Sequence, residues 1–157
     1  MIRWLRQRLR GRPDSEHAQA LVRVAIALVL VLLILWQGAL GALAPEATRI
    51  ALWVMAAEWV LALGLVVAIL VRPGTSHPRR VLGMCADYGT LAVLLAVGGA
   101  ALAPLYVVLL WVTVGNGLRY GTHYLFAAMG LASMTFLSVI LTTPYWLENP
   151  YLAWGLQ

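Results

Sequence analysis

Long apolar runs, with proline at their junctions, leave this chain one solvent and one secondary structure. Stretches of roughly 15 to 24 apolar residues recur along it. Runs of that length match a hydrocarbon layer of about 30 Å crossed by helix. Pro13, Pro45, Pro73, Pro78, Pro104, Pro144 and Pro150 all lie between the runs. Proline removes a backbone donor, and lipid offers no replacement partner, so these positions read as boundaries. The apolar fraction of 62% and the mean hydropathy of +0.86 agree. The expected fold is therefore all-α, a polytopic transmembrane bundle of five complete spans. Residues 1–17 form a basic amphipathic juxtamembrane segment. The spans cover about 18–43, 48–71, 81–97, 104–118 and 124–141, and 151–157 reads as the start of a further span.

The arginines orient this bundle. Lysine is absent, and Arg3, Arg6, Arg8, Arg10 and Arg12 precede the first span, with Arg23 near its start. Arg72, Arg79 and Arg80 fall in the second loop and Arg119 in the fourth. Arg49 alone falls on the other side. The positive-inside rule then puts the N-terminus and these two loops in the cytoplasm of a bacterial inner membrane. The other side carries Glu46, Glu148 and the aromatic residues Tyr145, Trp146, Tyr151 and Trp154, suited to an interfacial belt. The net charge of +5 is thus a membrane signature rather than a nucleic-acid footprint. Five spans leave the chain ends on opposite sides, so a sixth is expected to open at Tyr151, with any signalling partner beyond Gln157.

Two carboxylates lie within the apolar runs, Glu58 and Asp87. A charge at the bilayer centre costs about 2.5–3.5 kcal/mol on insertion scales, so such groups face a bundle interior. Counting along the helices puts Asp87 roughly 10 Å and Glu58 roughly 20 Å from the arginine-rich edge. That spacing predicts an Asp87–Arg119 pair, with Asn116 and Tyr88 nearby, and a separate Glu58. Structural glue is one reading of these groups; a small transporter or channel subunit is another. The run GNGLRYG at 115–121 reads as a flexible basic turn whose amides and Arg119 can hold a carboxylate. Tyr120 and His123 flank it. Gly64/Ala68 and Ala128/Ala132 offer small-residue packing faces. Cys85 stands alone and reads as a packing residue. No phosphate-binding loop, nucleophile–base pair or metal-ligand cluster is present in the sequence, so neither catalytic residues nor a cofactor is expected within 1–157.

Several strings together resemble the membrane input region of the RpfC-type sensor histidine kinases, receptors for diffusible signal factor. They are DSEHAQ (14–19), AILVRP followed by SHPRR (68–80), Asp87-Tyr88, PLYVVLLWVTVGNGLRYG (104–121) and PYWLENPYLAWGL (144–156). The resemblance implies a sensory input domain for a cis-2-unsaturated fatty acid, homodimeric in the full-length protein. It places a kinase module, with its ATP and Mg, beyond residue 157. It points to Asp14, Ser15, Glu16, His17 and Gln19 beside the first span, together with Arg23. The carboxylate of such a signal would seek Arg23, Arg119 or His123, and Arg119 is the expected anchor. A scaffold that only anchors and dimerises a partner is a third reading.

Overall fold

The computed structural model describes residues 16–72, 74 and 76–156, and the described residues contain no strand. The juxtamembrane segment up to Ser15 lies outside them. Among the described residues seven α-helices follow one another: α1 (Glu16–Ala39), α2 (Pro45–Val71), α3 (His77–Leu102), α4 (Tyr106–Tyr120), α5 (Thr122–Thr142), α6 (Pro144–Glu148) and α7 (Pro150–Leu156). Pro45, Pro78 and Pro144 sit in the first turn of their helices. The proline nitrogen there replaces an N–H that has no helical partner anyway.

Among the described residues, four helical stretches are long and apolar enough to cross a membrane: Leu21–Ala39, Pro45–Val71, His77–Tyr120 and Thr122–Thr142. The third is not one rod. A straight helix would hold Tyr88 and Thr113 about 37 Å apart along its axis. Instead, the Tyr88 hydroxyl and Thr113 Oγ1 lie 2.8 Å apart. The chain folds back at Gly99, whose φ of 49° and ψ of −133° suit glycine alone. A 3-10 turn, Ala103–Leu105, then leads into α4. Gly98 is equally constrained, because a Cβ there would lie 2.3 Å from that of Leu102.

The core follows helical spacing. Met84, Tyr88, Leu91 and Leu95 are buried along α3, and Ala51, Met55, Glu58, Ala62, Leu65 and Ile69 along α2. The opposite faces stay apolar and exposed, as at Val29, Trp36, Trp53, Val60, Phe126 and Met134. Apolar side chains facing outward at this density suit a lipid surround rather than water. The arginine-rich loops meet at one end of the bundle. Arg80 lies over the Tyr120 ring, 4.3 Å from its centroid, and His77 Nδ1 is 2.5 Å from the Tyr124 hydroxyl. Arg79 donates to the carbonyls of Ala68, Arg72 and Gly74, capping the end of α2. At the other end, Gln37 Nε2 donates to the Ala101 carbonyl at 2.9 Å.

Three expectations change. The 115–121 run is helical as far as Tyr120, and the turn is confined to Gly121, with φ 92°. Gly117 is needed for packing, since a Cβ there would meet Leu125 at 2.7 Å. Trp146 is not a belt residue. It is fully buried, its Nε1 donates to the Leu95 carbonyl at 3.1 Å, and it stacks edge-on against Phe136 and Tyr145. Finally, α7 is a seven-residue helix. At about 10 Å it does not by itself cross a hydrocarbon layer.

Candidate functional site

The two intramembrane carboxylates meet at one arginine. Arg23 of α1 donates from Nε to Asp87 Oδ1 at 2.6 Å and from Nη2 to Oδ2 at 2.7 Å. This is a two-toothed guanidinium–carboxylate fork, the geometry in which charge-assisted hydrogen bonds are strongest. Glu58 of α2 places Oε1 3.8 Å from the same Nε. Thr90 Oγ1 donates to Glu58 Oε2 at 3.1 Å. The side chains of Arg23, Glu58 and Asp87 are 10%, 6% and 14% exposed, so three charged groups from three helices are packed almost out of reach of solvent.

Gly83 makes this possible. It lies one turn before Asp87 on α3, and a Cβ at that position would sit 2.7 Å from Arg23 Nη2. The guanidinium therefore lies flat on bare backbone on its way to Asp87. A cavity of about 40 Å³ adjoins the cluster, walled by Ile26, Leu30, Met55, Val108 and Val112 around the polar groups. A second, also about 40 Å³, shares Arg23 and Asp87 with the first and lies between α1 and α4. Val22, Ile26, Trp111, Asn116 and Arg119 line it. A third, about 170 Å³, lies between α4 and α5 beside Tyr106, Leu110, Met129 and Phe136.

The expected partners are therefore redistributed. Asp87 pairs with Arg23, not Arg119, and Glu58 joins the same cluster instead of standing apart. The reason is where α3 begins. It starts at His77, a full turn before the expected start near residue 81, so Asp87 lies ten residues inside it. Glu58 lies thirteen residues inside the adjoining end of α2. The remaining difference in depth is about 5 Å, which side chains span. Arg119 is partly exposed and lines the α1–α4 cavity, with no salt bridge to a carboxylate within 4 Å among the described residues. Asn116 is buried, and its Nδ2 donates to the Val112 carbonyl at 2.8 Å. Tyr120 lies beneath Arg80, and His123 is exposed. Glu16, His17 and Gln19 fall in the first turn of α1, about 6–10 Å along the axis from Arg23. Asp14 and Ser15 lie outside the described residues. Gly83 and Thr90 were not singled out by sequence. Their one signal is spacing: they stand four before and three after Asp87, on its helical face.

An apolar bundle that buries an arginine and two carboxylates between its helices is the interior of a multi-pass membrane protein. Comparison with known proteins agrees and narrows the class. The chain is 47% identical over 156 residues to the sensory/regulatory protein RpfC of Xanthomonas campestris pv. campestris, in strain ATCC 33913 and equally in strain 8004. The match covers 98% of this chain and 21% of the relative. The chain thus spans about a fifth of the curated relatives it matches, and is the counterpart of their N-terminal part. No family model matches the chain, and no solved structure does.

Proposed function

We propose that this chain is the membrane sensory input region of an RpfC-type hybrid histidine kinase, which detects a diffusible cis-2-unsaturated fatty acid and passes the signal to a kinase module. The observation that carries this reading is the 47% identity to a sensory/regulatory protein along 98% of the chain. In this reading α1 to α5 each cross the bacterial inner membrane once, with the arginine-rich end in the cytoplasm. The shortest crossing, α4 extended by its 3-10 turn, measures about 28 Å, close to the hydrocarbon thickness.

The ligand chemistry fits the α1–α4 seam. Arg119 stands at its mouth as a guanidinium for the acid's carboxylate, and Val22, Ile26, Trp111 and Val112 offer an apolar path for the tail. The space now present is too small for an acyl chain, so the tail must part α1 from α4. α1 packs chiefly on α2, which makes this seam the one to yield. Opening it strains the Arg23–Asp87 fork and so couples binding to helix packing, as a two-state sensor requires.

The test is binding of a cis-2-unsaturated fatty acid to the chain in lipid nanodiscs. Arg119→Ala is expected to weaken binding about tenfold or more, the loss of one charge-assisted contact. An unchanged dissociation constant removes Arg119 as the anchor.

A further inference from the structure

The buried cluster does not balance its own charge. Arg23 contributes one positive charge, and Asp87 and Glu58 contribute two negative ones. Among the described residues no other cationic side chain lies within 4 Å of either of these carboxylates. Arg23 is committed to Asp87 by two short bonds. Glu58 Oε2 accepts from Thr90, which is neutral. Glu58 Oε1 is buried without a hydrogen-bond partner. Asp87 lines the same cavity as Glu58, so a second carboxylate faces the site. A lone carboxylate in such a setting is strongly unfavourable unless something of opposite charge joins it.

Space exists for that partner, and its size limits what it can be. The cavity lined by Glu58, Asp87, Thr90 and Arg23 measures about 40 Å³. One water-sized species needs about 10–15 Å³ on this measure, so the cavity takes a small ion with a water or two and excludes an organic ligand. Water alone would satisfy Oε1 as a donor and leave the charge uncorrected. Among the described residues the walls offer no further charged or polar side chain: α1 presents Arg23, α3 presents Asp87 and Thr90, and the other lining residues, Met55, Val108 and Val112 among them, are apolar.

We infer that the Glu58 side of the cluster binds one small monovalent cation, a proton or a sodium ion, which completes its charge balance. The site goes beyond signal sensing and does not depend on it. With the cation bound, Arg23 belongs to Asp87 and ties α1 to α3. With the cation gone, Arg23, already 3.8 Å from Glu58, is shared between both carboxylates and draws α2 into the tie. Occupancy thus sets whether Arg23 ties α1 to α3 alone or to α2 as well.

The experiment uses the chain in nanodiscs of uncharged lipid, with two measurements. The first is the thermal unfolding midpoint in sodium chloride against choline chloride at equal ionic strength. The second is the infrared carbonyl band of a protonated carboxylic acid at neutral pH. A saturable rise in midpoint with sodium, lost in Glu58→Gln, identifies sodium. A flat salt series, with a protonated-carboxyl band that Glu58→Gln removes and Glu148→Gln leaves, identifies the proton. Asp87→Asn keeps Glu58 but lets Arg23 balance it, so whichever signature is found must vanish there too. A signature that persists in Asp87→Asn overturns the inference, as does the absence of both signatures from the unsubstituted chain.

Discussion

Arg23 is held by two kinds of neighbour, carboxylates that attract it and a glycine that makes room for it. The two are separable by mutation. Arg23→Met leaves the buried Asp87 carboxylate without its counter-charge, and breaking a buried ion pair from one side costs about 3–5 kcal/mol. Gly83→Val puts side-chain atoms where the guanidinium lies, and is expected to cost about 1–3 kcal/mol by overpacking. If Gly83 acts through Arg23, the double variant costs less than the sum, with a coupling of about 0.5–3 kcal/mol in equilibrium unfolding. Strict additivity would make Gly83 an unrelated packing residue. Glu58 and Asp87 were legible in the sequence because a carboxylate inside an apolar run has few reasons to be there. Their shared partner was not. Choosing Arg23 over Arg119 depends on the exact start of α3 and on a missing Cβ at Gly83, both consequences of packing between helices far apart in sequence.

Among the elements, the α3–α4 hairpin and the α6 lid carry the least replaceable geometry. Gly99→Ala forces a side chain into a backbone region reserved for glycine, at about 1–3 kcal/mol. Trp146→Ala removes a fully buried indole, its bond to the Leu95 carbonyl and two edge-on ring contacts, at about 3–5 kcal/mol. Both losses are measurable as unfolding midpoints in detergent, and unchanged midpoints would show that this end of the bundle is slack. Helix positions were readable to within about a turn, because proline and apolar length both mark the ends. The break before Pro104 was readable for the same reason. The glycines at 115–121 misled, since three glycines and an asparagine look like a turn in isolation. Here Gly117 serves as a flat surface for Leu125, so tertiary contact outweighs the weak helix propensity. Trp146 misled likewise: tryptophan near a membrane edge suits an interfacial belt, yet the turn at Thr143–Pro144 swings it back over the core.

For the whole molecule the question is how many times it crosses the bilayer, and the fold-back at Gly99 decides which positions report on it. α3 and α4 run antiparallel, as the Tyr88–Thr113 bond requires. If both cross, Ala100 emerges at the end opposite His77 and Gly121. Ala44 and Glu148 emerge beside it, and Ser76 and His123 emerge at the arginine-rich end. Cys85 is the chain's single cysteine and is exposed on the outer face of α3. In a Cys85→Ser background, one cysteine is placed at each of these five positions in turn and labelled with a membrane-impermeant maleimide. Ala44→Cys, Ala100→Cys and Glu148→Cys are expected to label in intact spheroplasts. Ser76→Cys and His123→Cys are expected to label only after the membrane is opened. The pattern follows from the arginine partition, since among the described residues Arg72, Arg79, Arg80 and Arg119 share the second end and Arg49, paired with Glu46, stands at the first. Ala100→Cys carries the decision. Were α3 and α4 a re-entrant pair that dips into the layer and returns, Ala100 would stay unlabelled from both sides while the other four kept their pattern. That result would reduce the bundle to three full crossings and place the Arg23–Glu58–Asp87 cluster at the floor of a re-entrant loop.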